Sequence, residues 1–172
     1  MSEEIRVGVS ACLLGEKVRY DGRDKRDALV NEVLAKLFHL VPVCPEVEIG
    51  LGTPREPIHI VRWGDALRLV GVRSGADHTE AMHRYAALKV RQLEDLGVSG
   101  FILKKDSPSC GREGVVVHGP RAKAEHARGF FAESLVRELS TLPVEQESAL
   151  ADEGTKERFV KQVVAYHRLH RL

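Results

Sequence analysis

The chain has only three cysteines in its 172 residues, and no two of them stand close together. That excludes the C-x2-C ligand pairs of zinc fingers and ribbons, and the four-thiolate set of an electron-carrying iron–sulfur centre. No apolar run approaches the ~18 residues that a membrane span needs. The N-terminus, Met1-Ser2-Glu3-Glu4, has neither a basic nor an apolar segment, so no secretory signal is read there and a cytoplasmic protein is expected. An excess of charge is missing too: 26 Lys and Arg face 25 Asp and Glu, a net +1, which gives no strong field toward nucleic acid or membrane. Aromatic residues make up 5% of the chain, too few to build stacking platforms for a nucleic-acid strand. Gly50-Leu51-Gly52-Thr53-Pro54-Arg55 lacks the third glycine of a dinucleotide fingerprint and is interrupted by proline, so it is a tight loop with Arg55 as an anchor. Repeats and low-complexity segments are absent. The partner that remains is a small molecule; oligomeric state is not legible.

What is present is an ordinary globular composition, 43% hydrophobic and 30% charged, enough for one domain with a sizeable core. Residues 5–10 read as a buried first strand. A long polar loop from Leu13 to Arg26 follows, then a helix over 28–37 capped by Asp27. His39 to Val43 is a second strand. Ile58–Trp63 and Leu67–Val72 flank Gly64-Asp65-Ala66 as a hairpin, which extends the sheet or covers one edge. A helix runs from Asp77 to Leu96, with a stripe at Ala81, Tyr85, Leu88, Gln92 and Leu96 widened by Met82, Ala86, Val90 and Leu93. Phe101–Leu103 and Val115–Val117 are further strands, and Pro120 opens a last core helix to about residue 140. Residues 143–154 read as a linker, and 155–172 as a basic amphipathic helix capped by Thr155. Lys156, Arg158, Lys161, Arg168 and Arg171 form its solvated face. The order predicts an α/β fold: a Rossmann-like, mostly parallel sheet flanked by helices, with a β-hairpin insertion and a C-terminal helix.

The three cysteines share a position. Cys12 follows Ile5–Ser10, Cys44 follows His39–Val43, and Cys110 follows Phe101–Leu103 and a short polar turn. Ligands of open parallel sheets bind outside the carboxyl ends of the strands, so the three thiols are expected to converge on one site. Two metal readings stay open. One is zinc held by three cysteines and a histidine such as His118. The other is an iron–sulfur cluster on three thiolates, with one iron free as a Lewis acid. Glu46, two residues past Cys44, is the candidate general acid or base. Ser107 and Ser109 either form local turns or bind substrate or water, and Lys104 or Lys105 would offset cluster charge. Tyr20 lies in the loop that suits a substrate lid.

The chain resembles the thiouracil desulfidase family, formerly a domain of unknown function. The resemblance rests on Val9-Ser10-Ala11-Cys12-Leu13-Leu14-Gly15, Val18-Arg19-Tyr20-Asp21-Gly22, Pro42-Val43-Cys44-Pro45-Glu46, Gly50-Leu51 with Pro54-Arg55, and Leu103-Lys104 leading to Ser107-Pro108-Ser109-Cys110-Gly111. It implies an iron–sulfur domain over 1–142 with a 4Fe-4S cluster on Cys12, Cys44 and Cys110. It also implies non-redox removal of sulfur from a thiolated nucleobase. Glu46 and Ser107 match the family's catalytic positions, with Ser109, Lys104 and Tyr20 as expected substrate contacts. The tail from Glu157 to Leu169 resembles the start of a second helical domain found in longer members.

Overall fold

The structure, a computed structural model, describes residues 3–119 and 125–171. In chain order it runs β1 (Arg6–Ser10), α1 (28–37), β2 (His39–Val43), α2 (Pro45–Glu48), β3 (Ile58–Trp63), β4 (Ala66–Gly71), α3 (Thr79–Asp95), β5 (Val98–Leu103), β6 (Val115–His118), β7 (Glu125–Ala127), α4 (Phe130–Glu138), β8 (Val144–Gln146) and α5 (Glu153–Leu169).

Every residue of β5 is buried, as is every residue of β1 after Arg6. Two-sided burial belongs to a parallel sheet covered on both faces. These strands are the centre of a four-stranded, all-parallel sheet of order β2-β1-β5-β8. Glycine is required at position 8, because a Cβ there would run into the ring of Phe101 on the neighbouring strand. On one face Val7, Val9 and Ile102 meet Val30 and Leu34 of α1 and Phe159 and Val163 of α5. On the other, Val43, Phe101 and Leu103 meet Met82, Ala86 and Val90 of α3 and Phe131 and Leu135 of α4. The chain goes from β1 through α1 to β2 on one side, then returns through α3 to β5 on the other. That reversal makes the crevice at the carboxyl ends of β1, β2 and β5 a switch point of the sheet. No helix among the described residues is long and apolar enough to cross a membrane.

Asp27 caps α1 as its position predicts, its Oδ1 accepting the Val30 N–H at 3.0 Å; the Val30–Leu34 turn of that helix is π-helical. Several expectations are corrected. The hairpin does not extend the parallel sheet. It pairs with β6 and β7 in a second sheet, β4-β3-β6-β7, whose Ile58, Ile60 and Leu69 enter the same core as α3. The buried stripe of α3 is Met82, Ala86, Val90 and Leu93, while Leu88 of the expected stripe is exposed. Pro120 lies outside the described residues, and the last core helix begins at Phe130 after the strand β7. Residues 143–154 are not a linker: Val144–Gln146 pairs in parallel with Phe101–Leu103. The terminal helix starts at Glu153, capped by Asp152, whose Oδ2 accepts from both the Thr155 N–H and its hydroxyl. It docks on β5 through Phe159 and Val163 and is thus part of this core.

Candidate metal centre

Each cysteine is delivered by a different strand-end loop. Cys12 sits in the 3-10 turn Ala11–Leu14 directly after β1. Its carbonyl accepts from the N–H groups of Gly15 at 3.2 Å and Lys25 at 2.9 Å, so the long polar loop returns to its own start. Cys44 has extended backbone at the head of α2, where Pro45 begins the helix. Its N–H donates to Glu48 Oε2 at 2.9 Å, which fixes it to the turn that follows. Cys110 lies in a loop shaped by Ser107, whose Oγ accepts the N–H groups of Ser109 at 3.2 Å and Cys110 at 2.9 Å. The same loop closes the start of α4: the Phe130 N–H donates to the Pro108 carbonyl, and those of Phe131 and Ala132 to the Ser109 carbonyl. Gly129 permits that approach, since a Cβ there would lie 2.6 Å from the Ser109 carbonyl atoms.

Cys12, Cys44 and Cys110 line one cavity of about 470 Å³. All three are free thiols. Burial pushes Cys12 up to about 11, against a lowering by Lys104, and pushes Cys44 up as well. Cys110, the most enclosed, is raised furthest, again by burial, and the three charges oppose one another. Buried, neutral thiols are poor nucleophiles. A bound metal would deprotonate them, and three mutually repelling thiolates in an enclosed site require a cationic partner. Among the described residues no three His, Cys, Asp or Glu side chains are disposed to hold a single metal ion. His118 is not in this cavity; it is on β6 with its ring 4.8 Å from that of His59. Three soft thiolates with no histidine beside them among the described residues are not the donor set of the zinc arrangement; their chemistry is that of iron–sulfur ligands.

Glu46 lines the same cavity and is gripped at both oxygens. Arg55 Nε donates to Oε1 at 3.1 Å and Ser109 Oγ to Oε2 at 3.0 Å. The Arg55 and Glu46 side chains are 6% and 13% exposed, so this is a sheltered ion pair. Arg55 also donates Nη1 to the Gly52 carbonyl at 2.9 Å and its N–H to the Tyr20 carbonyl at 2.8 Å. One arginine therefore ties together the carboxylate, its own loop and the 13–26 loop.

Ser107 lines the cavity with its hydroxyl hydrogen free to donate. Ser109 is fully buried behind it and does not line the cavity, so its expected substrate contact is corrected to a grip on Glu46. Lys104 lines the cavity, with Nζ 2.6 Å from the Lys105 carbonyl and 3.3 Å from Glu147 Oε1. Tyr20 stands at the mouth, with the Arg19 guanidinium 5.6 Å from its ring centre. Arg55 and Glu147 were not read as parts of the site. Arg55 carried two signals, its place nine residues past Glu46 in the same loop and the Pro54-Arg55 pair of the resemblance; Glu147 carried none.

A family model described as 2-thiouracil desulfurase matches residues 7–147. The uncharacterized protein YbbK of Bacillus subtilis (strain 168) is 37% identical over 120 residues, covering 64% of this chain and 76% of its own. A solved structure described as a 4Fe-4S-dependent thiouracil desulfidase, TudS, is 33% identical with a TM-score of 0.64, covering 87% of this chain and 94% of that one. The family match takes in all three strand-end cysteines, Glu46 and the parallel sheet from Val7 through β8, and the chain belongs to the 2-thiouracil desulfurase family, a family of sulfur-removing enzymes.

Proposed function

We propose that the chain holds a 4Fe-4S cluster on Cys12, Cys44 and Cys110 and removes sulfur from a thiolated nucleobase such as thiouracil. The observation that carries this reading is the meeting of three thiols and a gripped carboxylate around one cavity. Bound there, the cluster supplies an iron with no protein ligand, a Lewis acid for the thiocarbonyl sulfur. The reaction is hydrolytic. One water replaces sulfur at the ring carbon, sulfur leaves as hydrogen sulfide, and no electrons are exchanged.

The chain's own residues take the remaining parts. Glu46 accepts a proton from the attacking water and returns it as sulfur leaves. Arg55 and Ser109 hold its carboxylate in one orientation toward the cavity. Ser107, anchored by two backbone N–H groups, has its hydroxyl positioned to donate to substrate or water. Lys104 brings positive charge near Cys12, offsetting the negative charge of thiolates. Tyr20 flanks the entrance as an aromatic surface for a planar base.

The test is anaerobic purification or reconstitution, followed by iron and acid-labile sulfide analysis and an assay with 2-thiouracil. The reading expects the iron and sulfide of one cluster per chain and release of sulfide with formation of uracil. Zinc in place of iron, or a full cluster with no turnover of any thiolated base, would overturn it.

A further inference from the structure

Glu147 follows β8 directly and does not line the cavity, yet both of its carboxylate oxygens meet residues that do. Oε1 is 3.3 Å from Lys104 Nζ, and Oε2 accepts the Lys105 N–H at 2.8 Å. The Glu147 N–H donates to the Leu103 carbonyl at 3.2 Å, carrying the contact between β5 and β8 past the last pair of the ladder, Leu103 and Gln146. On the other side of β5, the buried Ser10 at the end of β1 accepts the Lys104 N–H at 3.0 Å through its Oγ. The backbone at the head of the Cys110 loop is thus held from both neighbouring strands. The Lys104 ammonium is held differently. Its contacts are the Lys105 carbonyl at 2.6 Å, which belongs to the same loop, and the Glu147 carboxylate. The Lys104 and Glu147 side chains are only 20% and 11% exposed, so this is a sheltered pair, and water and salt screen it less than a surface pair.

We propose that Glu147 is a positioning residue for the metal centre: it holds the Lys104 ammonium at the wall of the cavity that the three thiols line. A lysine head is a compact, strongly hydrated charge on a flexible four-carbon stem, and without a carboxylate to hold it that head favours water. A cation fixed in a sheltered cavity attracts an anionic group bound there more strongly than one that swings into solvent. Glu147 therefore acts on the centre through Lys104, and its own carboxylate stays outside the cavity. This inference rests on the cluster reading above.

The experiment compares the full-length wild type, Glu147→Gln, Lys104→Met and the double variant. Glutamine keeps a carbonyl oxygen for the Lys105 N–H, so the loop keeps its backbone hold. In the metal-free proteins, labelling of Lys104 by an amine-acetylating reagent is followed by mass spectrometry, with the exposed Lys36 of α1 as internal reference. After anaerobic reconstitution, the rate of iron release to a chelator is measured. Lys104 should be labelled about 2–5-fold faster in Glu147→Gln, the factor that loss of an ion pair of modest strength gives. Glu147→Gln and Lys104→Met should each speed iron release, and the double variant should release iron no faster than Lys104→Met alone, because both substitutions remove one interaction. Labelling of Lys104 at the wild-type rate in Glu147→Gln would overturn the inference and leave the cluster reading standing. So would increases in iron release that multiply in the double variant, the result expected of a carboxylate that only braces the loop. A Glu147→Gln chain without the wild-type far-ultraviolet circular dichroism would overturn it as well, by making the carboxylate a requirement of the fold. Failure of the wild type itself to take up iron would overturn the cluster reading and this inference with it.

Discussion

Glu46 and the two serines show how far one residue's surroundings decide its part. Glu46→Gln keeps the shape of the side chain and one acceptor oxygen, for Arg55, with its NH2 able to donate to Ser109 Oγ instead of accepting from it, but it ends proton exchange. Turnover of 2-thiouracil should fall ~10²–10⁴-fold with iron per chain unchanged; near-full activity in a fully loaded variant would make Glu46 an ordinary loop acid. Cys44→Ser should lower iron retention while far-ultraviolet circular dichroism stays as in the wild type, since a hydroxyl is a hard, poor substitute for thiolate. Unchanged iron would remove Cys44 from the ligand set. Both residues were legible in the sequence because a strand end followed by Pro45 fixes where they point. Ser107 and Ser109 were not separable. They sit two apart in one turn, entered through the positive φ of Asp106, and packing against α4 turns one into the cavity and the other away from it.

At the scale of the element, the start of α4 carries the lesson. Proline at position 120 is a common opening of a helix, and a reading by local signals begins there. The helix instead begins at Phe130 with no side-chain cap at all. Its first N–H groups are satisfied by carbonyls of Pro108 and Ser109 in the Cys110 loop, far earlier in the chain, and a nonlocal cap leaves no local signature. Gly129 likewise has ordinary negative φ, so only the close approach of the Ser109 backbone explains it. Gly129→Ala should therefore act on the metal site through the loop. We expect a loss of ~1–3 kcal/mol in stability from overpacking, with faster iron loss to a chelator in the folded protein. A variant that loses stability but releases iron at the wild-type rate would show that the loop position does not depend on this contact.

For the molecule as a whole, the parallel sheet was legible because buried apolar strands announce themselves, whereas its last strand was not. Val144-Glu145-Gln146 is short, sits at the edge, follows Pro143 and is continued by Glu147-Ser148, the composition of a linker. Those polar side chains brace the site: Glu147 pairs with Lys104 at 3.3 Å and accepts the Lys105 N–H at 2.8 Å, and Gln146 Oε1 accepts the Arg112 N–H at 3.2 Å. The helix that follows was read from its basic face, which says nothing of its other face. That other face closes the core. Phe159 is 1% exposed, and α5 comes so near to β5 that a Cβ on Gly100 would lie 2.7 Å from Val163 Cγ2. If α5 is integral, Phe159→Ala should destabilise the entire molecule by ~3–5 kcal/mol, the usual cost of emptying a buried phenylalanine site. In urea, the single unfolding transition should move to lower denaturant with its slope unchanged. Were α5 a separately folding appendage, the main transition would stay in place and only a minor helical signal would change. The parallel sheet would then be complete with α1 alone on that face, leaving Ile102 without its cover.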